Sequence, residues 1–326
     1  MIVIGPTDSF GSLLRVGRLS QNLTLAGLSE GLCSTATLSR IEAGERDPGY
    51  LLAASLTERL GMSVKHLEMV LTDEEFDRLE KRRAIDALVA RGDGSAETKL
   101  GEYESLVEEG DVLERQFICH RRALARLVKL GIERLLLGSG MGGEDADTSS
   151  KQELEEIRKL LGEALGLTLG GGMPSARGSG MTVTERSIAV EMSCADQILG
   201  CDEREKTGCF LRLREAFAGI EAMKDAGDLL SGPLSLAALA CASWYYKREE
   251  FPQALSICGK AFDLLDGSGD ARGKGFVCFA RAKALSRLDP ADEAAACLAR
   301  ELFKLAYHLF GHLGDANSQM MVEDAI

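Results

Sequence analysis

The chain contains few aromatic residues, few prolines and no long uninterrupted apolar run. Aromatic side chains account for 5% of its 326 residues, and only six residues are prolines. No apolar stretch approaches the roughly 20 residues that a membrane-spanning helix needs, and the N-terminus lacks the features of a signal peptide. Sustained alternation of polar and apolar residues, which is typical of strands, is also missing. We therefore expect an all-α protein in the cytoplasm.

Motifs for metal binding and for catalysis are missing as well. None of the nine cysteines belongs to a Cys-x-x-Cys pair, and most lie in apolar helical patterns, so we expect reduced, buried thiols. The chain has no Walker loop, no Gly-x-Ser-x-Gly and no Gly-x-Gly-x-x-Gly after a strand. The sequence therefore predicts a protein that is not an enzyme and that binds no cofactor and no metal ion.

The net charge of −13 is distributed unevenly along the chain. Residues 1–66 carry six basic and six acidic side chains, so the whole acidic excess lies in residues 67–326. This neutral N-terminal part of the chain, the head, can bind phosphates only through a local basic face. Such binding weakens steeply as the salt concentration rises. The acidic body is better suited to protein or peptide partners than to nucleic acid.

A short stretch of the head has the pattern of a helix that enters the major groove of DNA. Small polar residues at the start of such a helix let its backbone approach the base edges. Thr35, Thr37 and Ser39 have this character. Leu38 and Ile41, three residues apart, supply an apolar stripe that can hold the opposite side of the helix on the domain. The pattern therefore predicts the recognition helix of a helix-turn-helix.

Helix caps and breakers divide residues 1–71, which we assign to a helix-turn-helix DNA-binding domain, into five short helices. Thr24 and Ser34 are typical N-cap residues, and Gly44 and Pro48 end the third helix. The expected helices are residues 10–22, a second helix capped by Thr24, a third capped by Ser34, residues 50–60 and residues 63–71.

The rest of the chain has a helical pattern almost throughout. Thr72 and Glu75 have the spacing of a capping box, which predicts a linker helix over 72–91 before a sensor and dimerisation domain over 92–326. Small and large residues in this domain have the spacing of tetratricopeptide (TPR) helix pairs, repeated after about forty residues. The two sets are Ala242, Tyr245, Phe251, Ala254, Cys258 and Ala261, then Ala282, Leu285, Ala291, Ala294 and Leu298. We favour a TPR-like superhelix with a concave surface, and an irregular helical bundle is the alternative.

Basic and small polar residues around the third helix are the candidate DNA contacts. Arg40 can donate to O6 and N7 of a guanine or bind a phosphate, and its alternative is an ion pair with a nearby acidic residue. Arg18 and Arg46 can hold the phosphate backbone, and a solvated surface position is the alternative for both. Glu42 is expected to have a structural role, in a pairing with Arg18 across the domain. The predicted DNA-binding residues are Arg18, Thr24, Ser34, Thr35, Ala36, Thr37, Ser39, Arg40 and Arg46.

The candidate ligand-binding residues lie in the body. Trp244, Tyr245 and Tyr246 are the densest aromatic cluster. Tyr245 fits the packing position, which leaves Trp244 or Tyr246 to line a groove, and core packing is the alternative for both. Arg121 and Arg122 have the charge to bind a ligand carboxylate, and exposed helix faces are the alternative for them. The predicted ligand-binding residues are Arg121, Arg122, Trp244 and Tyr246.

The motif of the head resembles a known class of DNA-binding domain. The residues that carry the resemblance are Leu23-Thr24-x-x-x-Leu28-Ser29-Glu30 and Leu38-Ser39-Arg40-Ile41-Glu42-x-Gly44-Glu45-x-x-Pro48. This pattern looks like the xenobiotic-response-element (XRE) type of helix-turn-helix, which implies a five-helix, lambda-repressor-like domain. The compact connection over residues 30–34 is similar to that of the Rgg/PlcR/PrgX (RNPP) family of peptide-pheromone receptors. That resemblance implies a homodimeric quorum-sensing regulator with a TPR-like domain after the head.

Two positions and the asparagine content of the body depart from the usual pattern of that family. Leu25 stands where a polar residue is usual, and Gly17 stands where a large apolar residue is usual. We therefore expect loose packing of the first helix. The body contains one asparagine, Asn317, whereas asparagines that grip a peptide backbone are typical of these receptors.

The pattern of the head, the charge distribution and the resemblance together predict a transcription regulator that binds an inverted-repeat operator in double-stranded DNA. We expect a homodimer whose body senses an effector, either a short peptide or a small molecule, without contact to membranes. One alternative is a TPR-like protein-interaction scaffold whose head does not read DNA. Another is a ligand-independent repressor of the prophage or toxin type.

Overall fold

The structure is a computed structural model that describes residues 9–62, 72–143, 145–169, 180–223, 230–288 and 292–326. Sixteen α-helices and no strand occur within these ranges, which confirms the all-α prediction. The first eight are α1 (Phe10–Ser20), α2 (Leu25–Ser29), α3 (Thr35–Glu42), α4 (Tyr50–Arg59), α5 (Asp73–Ala90), α6 (Ala96–Glu104), α7 (Val112–Leu130) and α8 (Ile132–Leu137). The others are α9 (Thr148–Leu169), α10 (Val183–Leu199), α11 (Glu203–Glu221), α12 (Ser231–Lys247), α13 (Phe251–Leu265), α14 (Ala271–Leu288), α15 (Glu293–Leu313) and α16 (Ala316–Glu323).

Backbone contacts divide the chain into two compact units. The first unit consists of Met1–Ala125 and Leu160–Arg186, and the second consists of Arg126–Lys159 and Ser187–Ile326. Among the described helices, none combines the length and the apolar character needed to cross a bilayer.

Helices α1 to α4 pack around one apolar cluster in the first unit. Leu14, Leu38 and Leu56 are fully buried at its centre, and Ile41 is 1% exposed. Leu38 and Ile41 are the two residues whose spacing predicted the inner side of α3, so this prediction is confirmed. The expected fifth helix over 63–71 lies outside the described residues.

Side-chain caps start the two helices of the helix-turn-helix at the expected residues. The Thr24 hydroxyl accepts a hydrogen bond from the Gly27 N–H, and the Ser34 hydroxyl accepts one from the Thr37 N–H, both at 3.0 Å. Helix α1 ends at Ser20, two residues before the expected end. The reason is that Asn22 has a φ of 55°, which lies in the left-handed region and cannot continue a right-handed helix.

Gly17 lies at a close approach between α1 and the end of α4. A Cβ atom built on Gly17 would lie 3.1 Å from Cδ1 of Leu60 and 3.3 Å from Sδ of Met62. These two side chains therefore fill the space that a larger residue at position 17 would take. The expectation of loose packing around α1 was wrong, because these two side chains lie close to Gly17.

Glu75 connects α5 to the first turn of α4. As expected, the Thr72 hydroxyl accepts from the Glu75 N–H at 3.2 Å and begins α5. The Glu75 carboxylate, however, accepts from the Tyr50 N–H at 3.0 Å, instead of completing a capping box with Thr72. Gly49, the N-cap residue of α4, provides no side-chain cap. Glu75 therefore supplies the missing acceptor, and its negative charge suits the positive end of the α4 dipole.

A second core in the first unit joins α5, α6 and α7 and contains a polar triad. Arg82 donates to the Glu114 carboxylate and to the Tyr103 hydroxyl, the latter at 3.1 Å. The Tyr103 hydroxyl donates in turn to Glu114 Oε2 at 2.7 Å. Burial raises the pKa values of Tyr103 and Glu114. The three groups bind one another through Nη1 of Arg82, whereas its Nη2 is buried without a hydrogen-bond partner in the described part of the chain. They lie inside an apolar cluster that includes Ile85 and Leu100.

Successive helices pack against each other in the second unit. Helix α12, whose side chains are buried on nearly all sides, packs against α11, α13 and α14. Helix α14 packs against α13 and α15, and α15 packs against α16. Contacts of a helix with the next one and with the next but one are typical of stacked helix pairs. This arrangement agrees with the TPR-like body that the sequence predicted.

The predicted alanine positions of the repeat are correct for α12 and α13 but not for α15. Ala242, Ala254 and Ala261 are fully buried, as predicted. Ala294 and Leu298 are exposed, so their assignment to the packed side was wrong. Alanines occur on both sides of α15, and small residues therefore did not define its buried side. The buried residues of α15 are Ala299, Leu302, Phe303, Ala306 and Phe310.

Candidate functional site

The outer side of α3 is a row of small and polar side chains. Leu38 and Ile41 hold the inner side of the helix in the core. The exposed residues on and just before α3 are Ser34, Thr35, Ala36, Ser39 and Arg40, and Thr37 is half-buried. Thr24, at the start of α2, is exposed as well. The structure therefore brings together seven of the nine predicted DNA-binding residues around one short helix and its neighbour.

The start of α3 is a capped helix end. The Ser34 hydroxyl lies 2.9 Å from the Thr37 hydroxyl in addition to accepting from the Thr37 N–H. These two hydroxyl groups are therefore engaged with each other. The N–H groups of Thr35 and Ala36, in the first turn, have no acceptor within the helix. A helix start with free N–H groups attracts negatively charged oxygen atoms such as those of phosphate.

Arg40 and Arg46 supply positive charge at this surface. Both side chains are exposed, and neither has an ion-pair partner among the residues that the structure describes. The alternative interpretation of Arg40, an ion pair with Glu42 or another nearby acidic residue, is therefore not the observed one. Within the part of the chain that the structure describes, Arg40 and Arg46 are free to contact a phosphate or a base.

Arg18 lies inside the head and not on this surface. Its side chain donates to both Glu42 carboxylate oxygens at 2.7 Å and to the Leu23 carbonyl at 2.9 Å. The residue is 8% exposed. Its donors are used to join α1 to α3 and to the loop before α2, so the phosphate contact proposed for Arg18 is replaced by its structural alternative.

Arg59, which the sequence analysis did not select, holds the turn between α2 and α3. Its Nη1 donates to the carbonyls of Leu28 and Glu30, and its Nη2 donates to Glu185 Oε1 at 3.0 Å. Arg59 is 4% exposed and Glu185 is fully buried. Arg59 continues the helical spacing of Leu52 and Leu56, and a basic residue on that apolar stripe was the available signal, but its partner is 126 residues away in the chain. Gly31 in the same turn touches the Thr168 carbonyl so closely that a Cβ there would lie 1.8 Å from the oxygen.

Glu58 is an acidic group with a raised pKa next to this ion pair. Burial raises the pKa of Glu58 to about 7, and the nearby Glu185 carboxylate acts in the same direction. A hydrogen bond from the Val183 N–H, 2.9 Å from Oε2, and the Arg186 charge oppose this effect. The carboxyl group therefore changes its charge near neutral pH.

A polar cavity of about 660 Å³ lies in the second unit. Four basic side chains line it, and the two acidic ones are Asp145 and Glu203. The basic residues are Lys151, Lys206, Lys247 and Arg248. Gln197 also lines the cavity, and in the described part of the chain its Oε1 is buried without a hydrogen-bond partner. The excess of cations suits a ligand that carries a negative group.

Trp244 forms one wall of the cavity. Phe210 stacks on one face of its ring, with centroids 4.9 Å apart and planes 9° apart. The Arg248 guanidinium lies 3.6 Å from the centroid of the Trp244 ring. The predicted role of Trp244 in a groove is therefore compatible with its position, although the residue is 9% exposed.

The other predicted ligand-binding residues are not among those that line this cavity. Tyr246 is buried and its hydroxyl accepts from Arg287 Nε at 3.3 Å, whereas Tyr245, expected in the core, is half-buried. Arg121 and Arg122 belong to the first unit and donate to the carboxylates of helices α5 and α6. Their expected contact with a ligand carboxylate is replaced by contacts with carboxylates of the protein.

Comparisons with known proteins find similarity of fold and not of sequence. No family model and no curated protein matches the sequence. A crystal structure of Bacillus thuringiensis PlcR in complex with the peptide PapR7 and DNA matches 96% of this chain and 98% of its own, with a TM-score of 0.52 at 17% identity.

Two structures of the regulator ComR match less closely. The apo form from Streptococcus thermophilus gives a TM-score of 0.44 at 18% identity, and the match covers 98% of both chains. ComR from Streptococcus vestibularis in complex with its signalling peptide XIP gives 0.47 at 18% identity, over 98% of this chain and 97% of that one. The match to PlcR, which spans nearly the whole chain, shows that this protein has the fold of an RNPP regulator, with a helix-turn-helix head followed by a TPR-like helical body.

Proposed function

We propose that this protein is a sequence-specific DNA-binding transcription regulator. The observation that carries the proposal is the exposed side of α3, where small side chains and the unpaired guanidinium of Arg40 lie opposite two buried anchors. The PlcR structure, which shares the fold, is a complex with DNA. Phosphate contacts come from Arg46, from the start of α3 and from the Thr24-capped start of α2, and Arg40 contacts a base.

A single small helix-turn-helix domain makes few contacts with DNA, and a homodimer doubles them. Two heads related by a two-fold axis contact two half-sites about one helical turn apart, so the operator is an inverted repeat. Selection of binding sequences from a randomised duplex library tests this directly, because a dimer enriches two inverted half-sites with a fixed spacing. Enrichment of a single unrepeated site would contradict the dimeric form.

Arg40→Ala should weaken binding to the selected duplex about 10- to 100-fold, because a bidentate contact to guanine contributes roughly 1–3 kcal/mol. Fluorescence anisotropy at two salt concentrations measures the effect, with scrambled duplex as competitor. Arg300→Ala, an exposed arginine of α15 in the second unit, is the matched control and should leave the affinity unchanged. If Arg40→Ala binds the selected duplex as tightly as wild type does, and the two proteins also bind scrambled duplex equally, the proposed recognition by Arg40 is wrong.

We further propose that the cavity beside Trp244 binds the effector, a short peptide. A volume of about 660 Å³ is within the usual range for sites of this kind. The peptide carboxylate faces the lysines that line the cavity. The PlcR structure also contains a peptide, which supports a peptide as the ligand class.

Trp244 is the only tryptophan of the chain, so its emission reports occupancy of this cavity. Short synthetic peptides of mixed sequence with a free C-terminal carboxylate should change the emission at saturating concentration. Lys247→Ala should lower the affinity for these peptides about tenfold, as expected for the loss of one charge-assisted hydrogen bond. Peptides with an amidated C-terminus serve as the control, and they should bind wild type and Lys247→Ala equally. If wild type and Lys247→Ala respond equally to the peptides with a free carboxylate and equally to the amidated peptides, the peptide does not bind in this cavity.

A further inference from the structure

The geometry of α3 identifies the residue at the middle of its exposed side. Each residue of an α-helix turns by about 100° relative to the one before it. The two buried residues, Leu38 and Ile41, define the inward direction, and Ala36 points opposite to their midpoint within about 10°. Ser39 and Arg40 lie about 60° and 40° to either side of Ala36. All three of these residues are exposed.

Few groups on this side are free to contact a base. The Ser34 and Thr37 hydroxyls are engaged with each other, and the Glu42 carboxylate is engaged with Arg18. The free groups at the centre are therefore the Ala36 methyl, the Ser39 hydroxyl and the Arg40 guanidinium. A methyl group can neither donate nor accept a hydrogen bond. The base opposite Ala36 must present an apolar group, or its polar edge loses water without gaining a partner.

We propose that Ala36 is a specificity-determining residue that reads the 5-methyl group of a thymine. Thymine is the only one of the four DNA bases with an apolar group on its major-groove edge. Arg40 lies about 6 Å further along the helix, since four residues rise by that distance. That separation corresponds to roughly two base-pair steps of about 3.4 Å. Each half-site therefore contains a thymine opposite Ala36 and a guanine opposite Arg40, about two base pairs away.

This inference rests on the proposed function, and replacement of single thymines by deoxyuridine tests it. Deoxyuridine lacks only the methyl group, so every hydrogen-bonding group of the base is kept. The probe is the duplex selected from the randomised library, with each thymine position replaced in turn. Replacement of one particular thymine in each half-site should lower the affinity of the protein for the duplex about fourfold, as expected for one methyl group removed from an apolar contact.

Ala36→Gly removes the protein's side of the same contact. The variant should bind the thymine and deoxyuridine duplexes equally, because neither then meets a methyl group on the helix. Ala84→Gly, an exposed alanine in the interior of α5, carries the same loss of helix propensity and should keep the full difference between the two duplexes.

The outcomes separate this inference from the proposal on which it rests. A selection that enriches no sequence overturns the proposed function itself. Specific binding that does not distinguish any thymine from deoxyuridine overturns the role of Ala36 and leaves the function intact. A thymine preference that persists in Ala36→Gly also overturns it, because another residue must then contact the methyl group.

Discussion

Arg59→Met should lower the free energy of unfolding by about 3–5 kcal/mol, the usual cost of removing one partner from a buried ion pair. Glu185, which is fully buried, would keep its charge without its counter-ion. The carbonyls of Leu28 and Glu30, in the turn between α2 and α3, would lose their donor as well. Urea unfolding followed by circular dichroism measures the loss.

Two further variants show whether the buried charge is the cause. Arg59→Met combined with Glu185→Leu should recover part of the lost stability, because two apolar side chains of similar size replace the pair. The recovery is incomplete, since Glu185 also accepts from the Thr182 N–H at 2.7 Å at the start of α10. Arg83→Met removes an exposed partner of Glu80 and should cost less than about 1 kcal/mol. If Arg59→Met and Arg83→Met cost the same, the ion pair with Glu185 does not stabilise the head.

Glu58→Gln should stabilise the protein at pH 8 by up to about 3 kcal/mol and change its stability little at pH 4.5. In the folded protein the pKa of Glu58 is raised to about 7 from its ordinary value of 4.5. The folded state therefore binds more protons than the unfolded state between these two pH values. The free energy of unfolding falls as the pH rises through this window and stays lower above pH 7. Glutamine keeps an acceptor for the Val183 N–H but carries no charge.

Urea unfolding of wild type and Glu58→Gln at pH 4.5 and pH 8 measures this difference. The charged groups that influence the pKa of Glu58 are Glu185 and Arg186, and both are present in wild type and in Glu58→Gln. Glu80→Gln, which removes an exposed carboxylate of α5, is the matched control and should change the stability little at either pH. A stability difference between Glu58→Gln and wild type that is the same at both pH values would contradict the raised pKa.

Local features of the head were predictable from the sequence because they depend on neighbours within a few residues. The caps Thr24 and Ser34 act within three residues, and the stripe of Leu38 and Ile41 follows from helix periodicity. The exposed side of α3 followed from the same periodicity, whereas the pattern left open whether Arg40 forms an ion pair.

Features that depend on distant parts of the chain were not predictable. Arg59 meets Glu185 across 126 residues, and no local pattern indicates such a partner. The carboxylate of Glu75 fits a capping box with Thr72, yet it binds the start of α4, because the fold brings an uncapped N–H nearer to it. In the body, adjacent aromatic residues made the inward positions ambiguous, and Tyr246 is buried where Tyr245 was expected.

The cap that Glu75 places on α4 affects any attempt to study the head as a fragment. A polypeptide that stops at residue 71 has no carboxylate at the Tyr50 N–H. It also lacks Leu113, which belongs to the apolar cluster of α1 to α4, and Glu185, the counter-ion of Arg59. Such a fragment would fray at the first turn of α4 and expose a gap in its core. Weak DNA binding by the short fragment would then reflect incomplete folding and not the chemistry of α3.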